Sequence, residues 1–134
     1  VSIYIFPFAG NAFIVIFPPL LAGRKIDKYL QALEQEFALL SKAVPKDNVR
    51  DTESKFAPRT IYIGGGTPTA LNAHQLKKLL EIVQKYVAVA KAKEFTVEMN
   101  PGTVDREKLL LLQQAGINRL SVGYSPLMII VAKN

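Results

Sequence analysis

Thr60-Ile61-Tyr62-Ile63-Gly64-Gly65-Gly66-Thr67-Pro68-Thr69 is the stretch from which the rest of the chain is read. Ile61, Tyr62 and Ile63 are β-formers that fit a pleated, half-buried surface. They run straight into Gly64, Gly65 and Gly66, and glycines at a strand end mark close approach of another group to the main chain. Without a Cβ, such a loop lets a ligand press on backbone N–H and C=O groups. Pro68 has no N–H to continue a ladder and is expected to turn the chain outward. Asn72 and Gln75 follow at the spacing of a capping box, so a helix begins there. The loop therefore belongs at the C-terminal end of a strand, where α/β folds place their ligands. A plain glycine turn is the competing reading of the same residues.

Working outward, the flanking segments alternate between strand and helix patterns. Upstream, Ile26, Leu30, Leu33, Phe37 and Leu40 form one face of an amphipathic helix that ends near Ala43, before Pro45. The polar run from Lys46 to Arg59 reads as a surface loop. Downstream, Leu76, Leu79, Leu80, Val83 and Val87 make a second apolar stripe. His74, in the first turn of that helix, reads as a solvated residue rather than a ligand. Phe95, Val97 and Met99 alternate with Thr96 and Glu98 as a third strand, which Asn100-Pro101-Gly102 ends. Thr103 and Asp105 open a helix through Leu109 to Leu112, closed by Gly116 as its C-cap. Asn118 to Val122 is a fourth strand. Ser2 to Ile5 is a short strand candidate. Phe6 to Gly23 has the composition of a strand but no clean period, and Met128 to Val131 is an apolar tail.

Repeated strand–helix units imply an α/β fold with a parallel sheet. Three to four such units are too few to close a barrel. An open parallel sheet with an unpaired fourth strand also predicts poor solubility.

Composition narrows the function classes. The chain has 134 residues, one domain or a piece of one, and is 49% hydrophobic, enough for a packed core. Its net charge of +6 is scattered, without a basic run or interleaved aromatics, which argues against nucleic acid as a partner. The absence of cysteine excludes disulfides and any thiolate-held metal within this chain. Val1 to Leu21 is apolar, yet it lacks a basic leader and is broken by Pro7, Gly10, Pro18 and Pro19. It is read as neither a signal peptide nor a membrane span, and the expected setting is cytoplasmic.

Glu98 stands at a strand end beside a Pro-Gly turn, in the layer of the glycine loop. A carboxylate there could hold an amine or ribose hydroxyls; the alternative is a surface strand residue.

Three ordered segments carry a family resemblance. Tyr62 to Pro68, Glu98-Met99-Asn100-Pro101-Gly102, and Ala115 to Gly123 together resemble the radical S-adenosylmethionine group of oxygen-independent coproporphyrinogen III oxidases and the haem chaperone HemW. Asp27 to Leu33 looks like that group's first helix, so the likeness runs from about Ile26 to Gly123. The Asn-Pro-Gly and Asn-Arg-Leu-Ser wording is closer to the chaperone branch. The resemblance implies a partial, TIM-like (β/α) barrel, of which this chain is the N-terminal half: a single, incomplete radical-SAM-like domain spanning residues 1–134. It implies that Gly65, Gly66 and Thr67 contact the methionine end of S-adenosylmethionine, that Glu98 holds the same cofactor, and that Tyr4 on the first strand belongs to the cofactor site.

Both ends depart from the family pattern. The family's first strand carries Tyr-x-His-Ile-Pro-Phe-Cys and a C-x-x-x-C-x-x-C loop for a 4Fe–4S cluster. Here Pro7-Phe8 survives, while Ala9, Asn11, Ala12, Phe13, Val15 and Ile16 offer no ligand. After Gly123 the family reads Val-Gln-Ser-Phe, where this chain reads Tyr124-Ser125-Pro126-Leu127. A shifted reading frame accounts for both. Codons for Tyr4 to Ala9 written TAC-ATA-TTC-CCT-TTT-GCC read His-Ile-Pro-Phe-Cys from the last base of the first. Codons for Tyr124 to Ile129, prefixed by one G, can read Val-Gln-Ser-Phe-Asn-Asp. In the same frame the triplets straddling Asn11/Ala12 and Ile14/Val15 can each encode Cys; the recovered C-x-x-C-x-x-C is one residue short, so a further small deletion is required.

Three functions remain open on the residues. The first is a truncated, cluster-less relative of the family, without catalytic activity, catalytic residues or a metal site of its own. The second is a residual S-adenosylmethionine- or haem-binding module, in which haem ligation would fall to His74 or a methionine. The third is a structural fragment without function.

Overall fold

In the computed structural model, residues 2–6, 12–16, 24–43, 55–124 and 127–132 are described. Their strands lie side by side in one sheet, in chain order: β1 (Ser2–Phe6), β2 (Ala12–Ile16), β3 (Thr60–Gly64), β4 (Glu94–Met99), β5 (Arg119–Tyr124) and β6 (Leu127–Ala132). From β2 to β5 every neighbour is parallel. Parallel neighbours need crossovers, and α1 (Arg24–Ala43), α2 (Ala73–Tyr86) and α3 (Arg106–Gln114) supply them. The α/β architecture of repeated strand–helix units is thus the observed one.

The helices form where local chemistry demands. Asn72 caps α2 in both directions: its side chain accepts from the Gln75 N–H at 2.8 Å, and the Gln75 side chain accepts from its N–H at 3.3 Å. Asp105 caps α3, accepting from the Lys108 N–H at 2.9 Å, and Gly116 lies just past that helix. The stripes point one way. Ile26, Leu30, Leu33 and Phe37 of α1, Leu76, Leu79, Leu80 and Val83 of α2, and Leu112 of α3 are buried with Val15, Ile61, Ile63, Phe95 and Val97 of the sheet. The core therefore fills the space between the helices and one sheet face. Strand period two sends Tyr62, Thr96, Glu98 and Ser121 to the other face.

At the N-terminal strand ends Asn118 ties β4 to β5. Its side chain accepts from the Phe95 N–H at 2.8 Å and donates to the Lys93 carbonyl at 3.0 Å. Arg119 pairs there with Glu94, whose carboxyl is held below its usual range first by that hydrogen bond.

Several sequence expectations are corrected. The sheet is parallel only in its middle: β1 runs antiparallel to β2, and β6 antiparallel to β5. The fourth parallel pairing partner, β5, is not left unpaired, because the run Leu127–Ala132 is rich in β-branched residues and returns as β6. Within the unperiodic stretch, Ala12–Ile16 forms a strand parallel to β3. Pro68 does not lead the chain outward. Pro68 and Thr69 are buried in a short 3₁₀ turn, Pro68–Ala70. The predicted surface loop also hides Phe56, which bridges to Val87. Of that loop, residues 46–54 lie outside the described residues, as do the end of the apolar stretch and residues 125–126.

Candidate functional site

The parallel strands end together, and their last residues and following loops enclose a cleft of about 190 Å³. β3 contributes Gly66 and Thr67 from its loop, β4 contributes Glu98, Met99 and Asn100, and β5 contributes Ser121 and Gly123. Glu98 and Ser121 are register partners, so β-pairing alone sets them side by side.

Glu98 organises the cleft. One carboxylate oxygen accepts from the Tyr62 hydroxyl, and the other accepts from the Gly65 N–H at 2.8 Å. Gly65 presents that N–H from a left-handed conformation (φ 97°), which costs glycine nothing. Gly64 is needed for a different reason. A Cβ there would lie 2.6 Å from Glu98 Cδ and would also strike the Tyr62 ring. Burial, then the hydrogen bond to Glu98 and the Glu98 charge, push the Tyr62 phenol up to about 12.

The structure brings Gly66, Thr67 and Glu98 to one cleft. Gly65 serves through its hydrogen bond to Glu98. The Tyr4 side chain lies outside what is described; its main chain sits in β1 opposite Ile14, with β2 between it and β3. His74 is exposed on α2 and does not line the cleft. Sequence reasoning placed Gly64 in the close-approach loop without naming its neighbours, and passed over Tyr62 and Ser121. Period two was the available signal: Tyr62 and Gly64 alternate with buried Ile61 and Ile63, as Glu98 does with Val97.

The cleft is smaller than the roughly 300–1,000 Å³ that takes a whole drug-sized ligand. It has room for a small polar group only. Glu98 provides an anionic acceptor, Ser121 a hydroxyl, and Gly66 and Thr67 line the cleft beside them, the Thr67 carbonyl being taken by the Ala70 N–H at 2.9 Å. The 4Fe–4S cluster does not fit this chain, which has no cysteine to bind iron. Among the described residues no group of three or more His, Cys, Asp or Glu side chains could hold a metal. No helix among them is long and apolar enough to cross a membrane.

Fold and site together define a run of βα units with a cleft at its C-terminal strand ends, the end at which barrel proteins place their ligands. Comparisons sharpen that class. No protein-family model matches the chain. The haem chaperone HemW of Bacillus subtilis is 40% identical over 104 residues, covering 77% of this chain and 25% of the relative. An oxygen-independent coproporphyrinogen III oxidase of Cereibacter sphaeroides is 32% identical over 98 residues, covering 73% of this chain and 20% of the relative. Among solved structures, coproporphyrinogen III oxidase HemN of Escherichia coli, a radical SAM enzyme, superposes with a TM-score of 0.61 at 27% identity, over 83% of this chain and 26% of that one. The chain belongs to the radical S-adenosylmethionine family of HemW and the oxygen-independent coproporphyrinogen III oxidases, and it spans a quarter or less of the curated relatives' length.

Proposed function

We propose that this chain is a cluster-less, partial-length relative of these proteins that retains a site for the amino-acid end of S-adenosylmethionine and catalyses no reaction. The observation that carries the reading is the cleft itself: the glycine loop and Glu98, 33 residues apart, are joined by a hydrogen bond at the ends of adjacent parallel strands. Reductive cleavage of a sulfonium needs an electron from a cofactor. Protein side chains of this chain include no thiolate to hold the iron centre that would deliver it.

Isothermal titration with S-adenosylmethionine tests the binding half. The wild-type chain is expected to bind, and Gly66→Val, which puts a branched side chain on the cleft wall, is expected to abolish the heat. No binding by either, or equal binding by both, would overturn it. Anaerobic reconstitution with iron and sulfide tests the catalytic half. A brown product that cleaves S-adenosylmethionine would contradict the reading.

Haem is the second ligand class, favoured by the haem chaperones among the relatives. His74 is the single imidazole of the chain. A Soret titration of wild type and His74→Ala separates specific ligation, lost in the variant, from diffuse attraction of propionates to a basic protein.

A further inference from the structure

Behind the cleft, two loops are fastened by a closed ring of hydrogen bonds. The Asn100 N–H donates to Thr69 Oγ1 at 3.2 Å, and the Thr103 hydroxyl donates to the Asn100 carbonyl at 2.8 Å. The two threonine oxygens lie 2.6 Å apart. Thr103 has spent its proton on Asn100, so Thr69 is the donor between them. The ring thus runs from Asn100 through both threonines and back to Asn100. Thr69 is fully buried at 0% exposure, so water cannot substitute for its partners.

One cation spans the same two loops. Lys108 Nζ donates to the Thr69 carbonyl at 3.0 Å and to the Thr103 carbonyl at 2.8 Å. Its place is odd for helix chemistry. It lies in the first turn of α3, where the positive end of the dipole disfavours a cation. The Asp105 cap fixes its main chain at 2.9 Å, and the side chain reaches away from the helix to the loops. A cation set against the dipole, with two of its three donors spent on carbonyls of different loops, has a tertiary task.

We propose that Lys108 is a positioning residue for the cleft: by clasping the carbonyls of Thr69 and Thr103, it holds the glycine-loop exit and the Asn-Pro-Gly turn at the separation that leaves room for ligand between Thr67 and Asn100. This rests on the S-adenosylmethionine-binding reading above. The clasp itself is separable from it, because loop opening can be measured without ligand.

The experiment pairs amide hydrogen exchange with S-adenosylmethionine titration on wild type, Lys108→Met and Lys108→Arg. Methionine keeps the stem and loses the donors; arginine keeps donors that can reach two carbonyls. Lys108→Met is expected to speed exchange at Asn100 and Gly102 while leaving the β3 and β4 interiors unchanged. It is expected to weaken binding roughly tenfold, the scale of losing charge-assisted hydrogen bonds. Lys108→Arg is expected to restore both. Unchanged exchange and affinity in Lys108→Met, or uniform loosening without arginine rescue, would overturn the proposal. If the wild-type chain binds no S-adenosylmethionine, the functional reading falls and exchange alone decides the clasp. Should Lys108→Met fail to fold, Lys108→Gln, which shortens the reach and removes the charge, is measured in its place: faster exchange at Asn100 and Gly102 is again expected, and unchanged exchange there again contradicts the clasp.

Discussion

Glu98 has both carboxylate oxygens engaged by its own chain, one by Tyr62 and one by Gly65. Its position is therefore set before any ligand arrives, which is the preorganisation a binding site requires. Gly64 leaves the space that this arrangement occupies. Gly64→Ala forces a Cβ against Glu98 Cδ and the Tyr62 ring, and is expected to cost about 1–3 kcal/mol in urea unfolding, the scale of overpacking. The Tyr62 phenol gives a pH signature. Its folded-state value, about 12, lies above the ordinary 10.0, so the unfolded chain loses the proton first. Its contribution to stability is whole below pH 10.0 and is lost as pH rises toward about 12. Tyr62→Phe is expected to lose less stability over that window than wild type, measured by urea midpoints. Tyr29, also raised to about 12 and first by burial, titrates in the same window in both proteins and leaves a common residual slope.

At the scale of elements, the helices were the most readable part of the chain because their signals are local. Asn72 and Gln75 sit three residues apart in sequence and meet in the structure as a capping box. Asn72→Ala is expected to remove about 1 kcal/mol of stability, with the loss of helical signal on heating beginning at lower temperature than in wild type. The β3–β5 strands were equally legible, since Ile61, Ile63, Phe95 and Val97 alternate with polar residues. Of the two antiparallel edges, Ser2 to Ile5 was legible as a strand, now β1, but the pairing of neither edge was. Pairing of β6 with β5 is a non-local choice, and an apolar run such as Leu127–Ala132 carries no period that names its partner. The Tyr62–Glu98 contact was hidden for a related reason: 36 residues separate its partners, and only the register Tyr62–Thr96 across β3 and β4 brings them near. Lys108 was hidden more deeply, because nothing in a helix first turn announces a bond to another element's carbonyl.

For the molecule as a whole, the division between ends of the sheet is the useful one. The N-terminal strand ends carry the Asn118 tie and the Glu94–Arg119 pair, which hold strands together. The C-terminal ends carry the glycine loop, Glu98 and Ser121, where barrel-type folds place ligands. The family relationship matches this polarity, and the chain has no cysteine to hold an iron centre at that end. The most direct test of the account is amide chemical-shift mapping during titration with S-adenosylmethionine. Shifts confined to residues 65–67, 98–100 and 121–123, and absent in Gly66→Val, are the predicted result. Shifts centred on the groove between α2 and α3 around Lys77, Gln84 and Leu111, or no shifts at all, would contradict it.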